Sequence, residues 1–203
     1  MSHPLPPPFD AWRPWTPPQV VDLLAGIDAP WWVIGGYAID LFLGRETRPH
    51  SDIEIATTCD GFIAIRERLQ QRYVLYAAGS GTLRRLAPGD AYPKDRHQCW
   101  VLDEAAAVWR LDVMQEPGDA TTWRCRRDER IAVPRDAIIR RTADNIAYLS
   151  PEAVLLFKAK GMREKDVRDF TLVAPLLQPA QRAWLIDALT RVHPDHSWIA
   201  ALR

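Results

Sequence analysis

Cysteine is scarce in this chain: Cys59, Cys99 and Cys125 are the three cysteines among 203 residues, odd in number and scattered. They fit neither a disulfide framework nor a zinc site, and the expectation that follows is a cytoplasmic protein. An excess of charge of one sign is also missing. Lys+Arg and Asp+Glu count 26 each, for a formal net charge of +0. Without a global basic field, sequence-independent binding of long nucleic acid is not expected, and a small-molecule or protein partner is. No apolar run approaches the length of a transmembrane helix, so a membrane partner is not expected. Met1 to Pro18 is rich in proline and tryptophan and lacks the apolar stretch of a signal peptide. Internal repeats are absent, and the proline-rich start is the only biased segment.

What is present is enough for a core. The hydrophobic fraction is 47% over 203 residues, a length for one generous domain or two small ones. A chain of this size buries roughly 70% of its unfolded surface. Residues 1–15 read as an extended arm, because Pro6-Pro7-Pro8 cannot be helical. Thr16-Pro17 reads as a helix start, with Val20, Val21, Leu23, Leu24 and Ile27 as its apolar face. Trp31 to Ile34 reads as a buried strand. Gly35-Gly36 turns it into a helix to about Leu43, and Asp52 to Ala56 reads as the next strand. A helix from about Phe62 to Gln71 follows, capped by Asp60. From Arg72 to Pro134 short strands alternate with turns, the clearest being Val108 to Met114. After Ser150-Pro151-Glu152 the pattern is three or four helices. The expected division is 1–145 and a C-terminal helical segment, 146–203.

One run carries chemistry. Asp52 and Glu54 stand at i and i+2 on the expected strand and share a face, with Ile53 and Ile55 turned to the core. Adjacent carboxylates repel unless a cation lies between them, and hard oxygen ligands suit Mg²⁺. A two-metal site needs a third carboxylate, and Asp112 is the candidate. In Trp109-Arg110-Leu111-Asp112-Val113-Met114 the alternation sets Trp109, Leu111 and Val113 on one side and Asp112 on the other. Asp112 would bridge a metal or act as general base toward a hydroxyl. Gly35 and Gly36, opening a helix, let backbone N–H groups approach phosphate oxygens. Arg45, Arg48 and His50 are placed to neutralise a triphosphate, and Asp40 to order the loop that carries them. Taken singly, each feature has an ordinary reading as a tight turn, a solvated strand face or loop residues. Their order and spacing together favour a site.

These residues resemble the nucleotidyltransferases of the DNA polymerase beta superfamily. More closely, Gly35-Gly36-Tyr37-Ala38-Ile39-Asp40 followed by Arg48-Pro49-His50-Ser51-Asp52-Ile53-Glu54 is similar to the aminoglycoside 2''-nucleotidyltransferase and lincosamide nucleotidyltransferase group. So is the tail, Tyr148 to Lys158 with Lys165-Asp166 and Asp169-Phe170. Glu54 stands where Asp is frequent in the family, and Tyr37 where Trp is common.

The resemblance implies an α+β fold, a nucleotidyltransferase-type mixed β-sheet flanked by helices with a C-terminal helical segment, and the nucleotide in the cleft between the two parts. It implies transfer of a nucleoside monophosphate from ATP or another NTP to a hydroxyl of a small-molecule acceptor, releasing pyrophosphate. It makes Asp52, Glu54 and Asp112 catalytic metal ligands for two Mg²⁺ ions, and Gly35, Gly36, Arg48, His50 and Lys158 nucleotide-binding residues. Without it, Lys158 reads equally as a lysine snorkelling from an apolar helix face. Lys165 and Asp169 read as an i,i+4 salt bridge. Arg124, Arg126, Arg127 and Arg130 read as a solvated basic face. Two alternatives stay open: an antitoxin-type enzyme that modifies a partner protein, and a catalytically silent nucleotide-binding module.

Overall fold

The computed structural model describes residues 5–203, so the first four residues of the expected arm lie outside the described residues. In chain order the elements are α1 (Pro17–Leu23), β1 (Trp31–Ile34), α2 (Gly35–Leu43), β2 (Glu54–Thr58), α3 (Cys59–Gln70), β3 (Val74–Gly79), β4 (Thr82–Leu86), β5 (Gln98–Asp103) and β6 (Val108–Glu116). Then come β7 (Thr122–Cys125), β8 (Asp128–Pro134), α4 (Arg135–Ile138), β9 (Ile139–Arg141), β10 (Ala147–Leu149), α5 (Pro151–Lys158), α6 (Glu164–Val173), α7 (Pro179–Val192) and α8 (Ser197–Ala201). The chain divides into two compact units. The first takes the residues up to Val33 with Arg48–Glu116, and the second takes Ile34–Thr47 with Pro117–Arg203. Residue 145 lies inside the second unit.

The first unit is built on a sheet with strand order β4-β3-β5-β6-β2-β1. It is mixed: β2 runs parallel to β6, while β5–β6, β3–β5 and β3–β4 are antiparallel. A parallel neighbour needs a crossover, and β2 and β6 are far enough apart in sequence to supply one. β2 is buried over Ile55–Thr58, as a central strand covered on both faces should be. It runs directly into α3, so the last strand residue becomes the helix cap. The Thr58 hydroxyl accepts from the Gly61 amide at 3.0 Å. This corrects the expectation that Asp60 caps α3; Asp60 sits one residue inside the first turn. Phe62, Ile65 and Leu69, at helical spacing, are the buried face of α3. α1 starts where expected, with Thr16 as N-cap and its amide donating to Gln19 Oε1 at 2.9 Å.

The register of β6 departs from simple alternation. Between Val101 and Leu102 of β5 the pairing shifts, with Val101 opposite Leu111 and Leu102 opposite Trp109. The bulge leaves Arg110 unmatched and turns Trp109 to the face of Trp100 and Tyr76, against which it packs. The expectation that Trp109 faces away from Asp112 is therefore wrong, because one extra residue reverses the side-chain alternation. Ahead of the stretch paired with β2, the edge of β6 is covered by the N-terminal arm. Trp109 N donates to Ala11 O at 2.9 Å, Arg13 N to Trp109 O at 3.0 Å and Trp15 N to Arg110 O at 3.1 Å.

In the second unit, Gly35 opens α2 at φ +67°, a left-handed conformation that strains any residue with a Cβ. Gly44 closes the helix in the same region, at φ +66°. α2 packs against α5 and α6. β7 pairs antiparallel with β8, and β9 with β10. α5 is buried along nearly its whole length and packs against α7. The expected solvated basic face breaks up here. Arg127 is half-buried and donates to the carbonyls of Leu156 at 2.9 Å and Phe157 at 2.7 Å, capping the end of α5. Arg130 makes an exposed pair with Asp128. No helix among the described residues is long and apolar enough to cross a membrane.

Candidate active site

The carboxylates read from the sequence belong to the first unit. Strand β2 begins at Glu54, two residues later than expected, so Asp52 lies in the segment that feeds it. The ladder still reaches back, because Asp112 N donates to Ile53 O at 2.9 Å. Burial alternates as the i, i+2 argument requires: Ile53 and Ile55 are fully buried, while Asp52 and Glu54 are half-buried. Glu54 is the register partner of Asp112 on the parallel strand β6. Two acidic residues thus face each other across neighbouring strands, an arrangement that is destabilising without compensation.

Asp112 is 4% exposed. Its Oδ2 accepts from Gln98 Nε2 at 2.7 Å and from Trp100 Nε1 at 3.2 Å. Its Oδ1 is buried and has no hydrogen-bond partner among the described residues. Burial pushes the Asp112 carboxyl well above the ordinary carboxylate range. The charge of Glu54 adds to the rise, the donations from Gln98 and Trp100 oppose it, and Asp52 adds to it again. Among the described residues no group of three His, Cys, Asp or Glu side chains is arranged to hold a metal ion. Asp112 feels the charges of Glu54 and Asp52, and the donor set is hard oxygen. An orphaned carboxylate oxygen beside two further acids fits a divalent cation such as Mg²⁺, which would relieve the repulsion.

Arg48 and His50 lie just before Asp52. Arg48 Nη1 stands 3.0 Å from His50 Nδ1 and 3.3 Å from Pro49 O, and Ser51 Oγ donates to Asp52 Oδ1 at 3.0 Å. In the second unit, Asp40 orders the preceding loop as expected, its Oδ1 accepting from the Thr47 amide at 3.1 Å and hydroxyl at 2.6 Å. Lys158 is also in the second unit and is 8% exposed. Its ammonium is engaged by Asp169 Oδ2 at 2.7 Å and Asp166 Oδ1 at 3.3 Å. Where the sequence set Asp169 against Lys165, the structure sets it against Lys158. Helix spacing brings i and i+4 together only on one helix, whereas packing of α5 on α6 brings a buried cation within reach of both acids.

Sequence reasoning missed Gln98 and Trp100. Their signal was available: two side chains with N–H donors at i and i+2 on one strand, in line with a buried acid. What the sequence could not supply was the β5–β6 register that sets Trp100 opposite Asp112.

The fold, a mixed sheet flanked by helices, is that of solved nucleotidyltransferases. Residues 18–81 match the family model of aminoglycoside-2''-adenylyltransferase, a stretch that holds Gly35, Gly36, Asp52 and Glu54. Among solved structures the chain is similar to ANT(2'')-Ia in complex with adenylyl-2''-tobramycin. The identity is 16% and the TM-score 0.59, covering 86% of this chain and 97% of that one. It is also similar to the lincosamide antibiotic adenylyltransferase LnuA with lincomycin bound, at 19% identity and TM-score 0.53, covering 75% and 90%. No curated protein matches the chain significantly. The group to which the sequence showed a resemblance is the group these structures represent.

Proposed function

We propose that the protein is a nucleotidyltransferase that moves a nucleoside monophosphate, AMP from ATP in the simplest case, to a hydroxyl of a small molecule and releases pyrophosphate. The observation that carries this is Asp112. It is buried, faces Glu54 across parallel strands, and keeps one carboxylate oxygen without a donor among the described residues. Mg²⁺ held by Asp52 and Glu54, with Asp112 beside them, would supply positive charge to the acids and to a triphosphate. Asp112 Oδ1 accepts the proton of the attacking hydroxyl. The hydroxyl oxygen forms the new bond to the α-phosphorus, and the bond to the β-phosphate breaks as pyrophosphate leaves. The left-handed Gly35 and its neighbour Gly36 supply backbone N–H groups to phosphate oxygens, and Arg48 and His50 supply positive charge to the triphosphate. Lys158 enters only indirectly, because its charge is engaged with Asp166 and Asp169.

The acceptor is taken from the likeness to the two antibiotic adenylyltransferases: an aminoglycoside or lincosamide hydroxyl. The test is pyrophosphate release from Mg-ATP with purified protein against a panel of both drug classes, beside Asp52→Ala. Release that depends on one class and disappears in the variant supports reaction and acceptor together. Equal release by the variant sinks the assignment.

A further inference from the structure

The aromatic residues of the N-terminal arm have no part in the reaction described so far, yet they lead to its central acid. We infer that the arm is a positioning element for the active site, acting on Asp112 through Trp100. Trp100 directly opposes Asp112 in the β5–β6 register and donates its indole N–H to Oδ2 at 3.2 Å. Gln98 donates to the same oxygen at 2.7 Å. Two donors on one oxygen fix the plane of the carboxylate and leave Oδ1 to the chemistry. Both donors are themselves buried or half-buried side chains whose aim depends on what holds them.

Three rings hold Trp100 edge-on. Phe9 lies at 5.5 Å and 74°, Trp12 at 5.0 Å and 73°, and Trp109 at 5.3 Å and 67°. Two of the three come from the arm. The arm in turn is tied down: Trp12 Nε1 donates to Phe9 O at 2.9 Å, and Trp109 Nε1 donates to Pro8 O at 2.9 Å. Backbone bonds made by Ala11 O, Arg13 N and Trp15 N tie the arm along the edge of β6. Edge-to-face contacts restrict the rotation of an indole about its two side-chain torsions. Without them the Trp100 N–H is free to swing from Asp112, and the carboxylate loses one of the two donors that orient it. A purely structural aromatic cluster would have no need to aim an N–H at a buried acid.

This inference rests on Asp112 being the reacting carboxylate, so its test carries one readout that does not need turnover. In ¹H–¹⁵N correlation spectra of the full chain, the Trp100 indole signal is identified by its loss in Trp100→Phe. That signal is expected to move in Asp112→Asn, and to move or broaden in Phe9→Ala. Phe9 is half-exposed, so its truncation leaves the core in place. A Trp100 signal unchanged by both variants overturns the inference, whatever the activity. In the transfer assay, Trp100→Phe and Gln98→Leu are each expected to lower kcat about 10-fold with KM for ATP unchanged. Phe9→Ala is expected to lower kcat in the wild-type background and to have no further effect in Trp100→Phe. An equal loss in both backgrounds would mean that the arm acts elsewhere, and would overturn the inference while leaving the proposed function standing. Coupled indole shifts in a protein that transfers to no acceptor would do the reverse.

Discussion

Each unit of this protein buries acidic side chains, and the two groups are treated in opposite ways. In the second unit Asp166 and Asp169 enclose the Lys158 ammonium at 3.3 and 2.7 Å, and Arg163 Nε adds 2.8 Å to Asp166. Burial alone would raise Asp166, but Arg163 and Lys158 hold its carboxyl below the ordinary range. In the first unit Asp112 meets the charges of Glu54 and Asp52, and its carboxyl is driven up. Charge matched inside the chain is a structural device. Like charge gathered around a buried acid raises its carboxyl, and that is the feature on which the proposed site rests. Composition cannot separate the two groups, since both are small sets of acidic residues.

The largest effect that would break this contrast is catalytic. Asp52→Ala and Asp112→Ala should each reduce transfer by about 10³-fold or more while circular dichroism and thermal unfolding stay close to wild type. Full activity in either variant would remove the site from the first unit.

Next in size is Lys158→Met. It leaves Asp166 and Asp169 buried without their shared cation, a loss of about 3–5 kcal/mol, or about 10 °C in Tm. Should Tm instead hold while transfer disappears, Lys158 would rejoin the nucleotide-binding residues as the family resemblance implies, and the contrast would dissolve.

A smaller and opposite effect is expected for Asp112→Asn without divalent cations. A carboxyl raised in the folded state stabilises it fully only below the unfolded value near pH 4, and that stability is lost as pH rises through the folded value. At pH 7, above the unfolded value, the wild-type protein has lost part or all of it, so the amide variant should melt about 2–4 °C higher for each kcal/mol relieved. The gain should shrink as pH falls toward 4. Calorimetry at several pH values checks both parts, and a lower Tm for the variant at pH 7 would contradict the reading of Asp112.

The smallest effect is the mirror image in the second unit. Asp166 is held low, so its contribution is present above about pH 4 and is lost as pH falls through its folded value. Asp166→Asn should flatten the acid limb of the stability curve. An unchanged limb would mean that Asp166 adds nothing to acid sensitivity.

Much of this could be read in the residues. Start signals and apolar patterning marked α1, β1 and the three or four helices expected after Ser150, and the glycine pair marked the junction at which Gly35 adopts its positive φ. The spacing of Asp52 and Glu54 against buried Ile53 and Ile55 gave their shared side. Errors fell where one residue changes the outcome. The cap of α3 moved from Asp60 to Thr58 because no loop separates strand from helix. Trp109 changed face because of a single bulge. Lys158 was given a phosphate role by the resemblance alone, and a helix-face argument could not foresee the acids of α6 that engage it.

By itself, the sequence determined the local elements and the identity of the acids, because backbone propensity and side-chain alternation act over a few residues. Tertiary structure decided which acids meet a cation and which meet one another, because charges separated by many residues interact only after packing sets their distance. The same holds for the arm: its tryptophans were visible as bulk, but only the β5–β6 register aims Trp100 at Asp112.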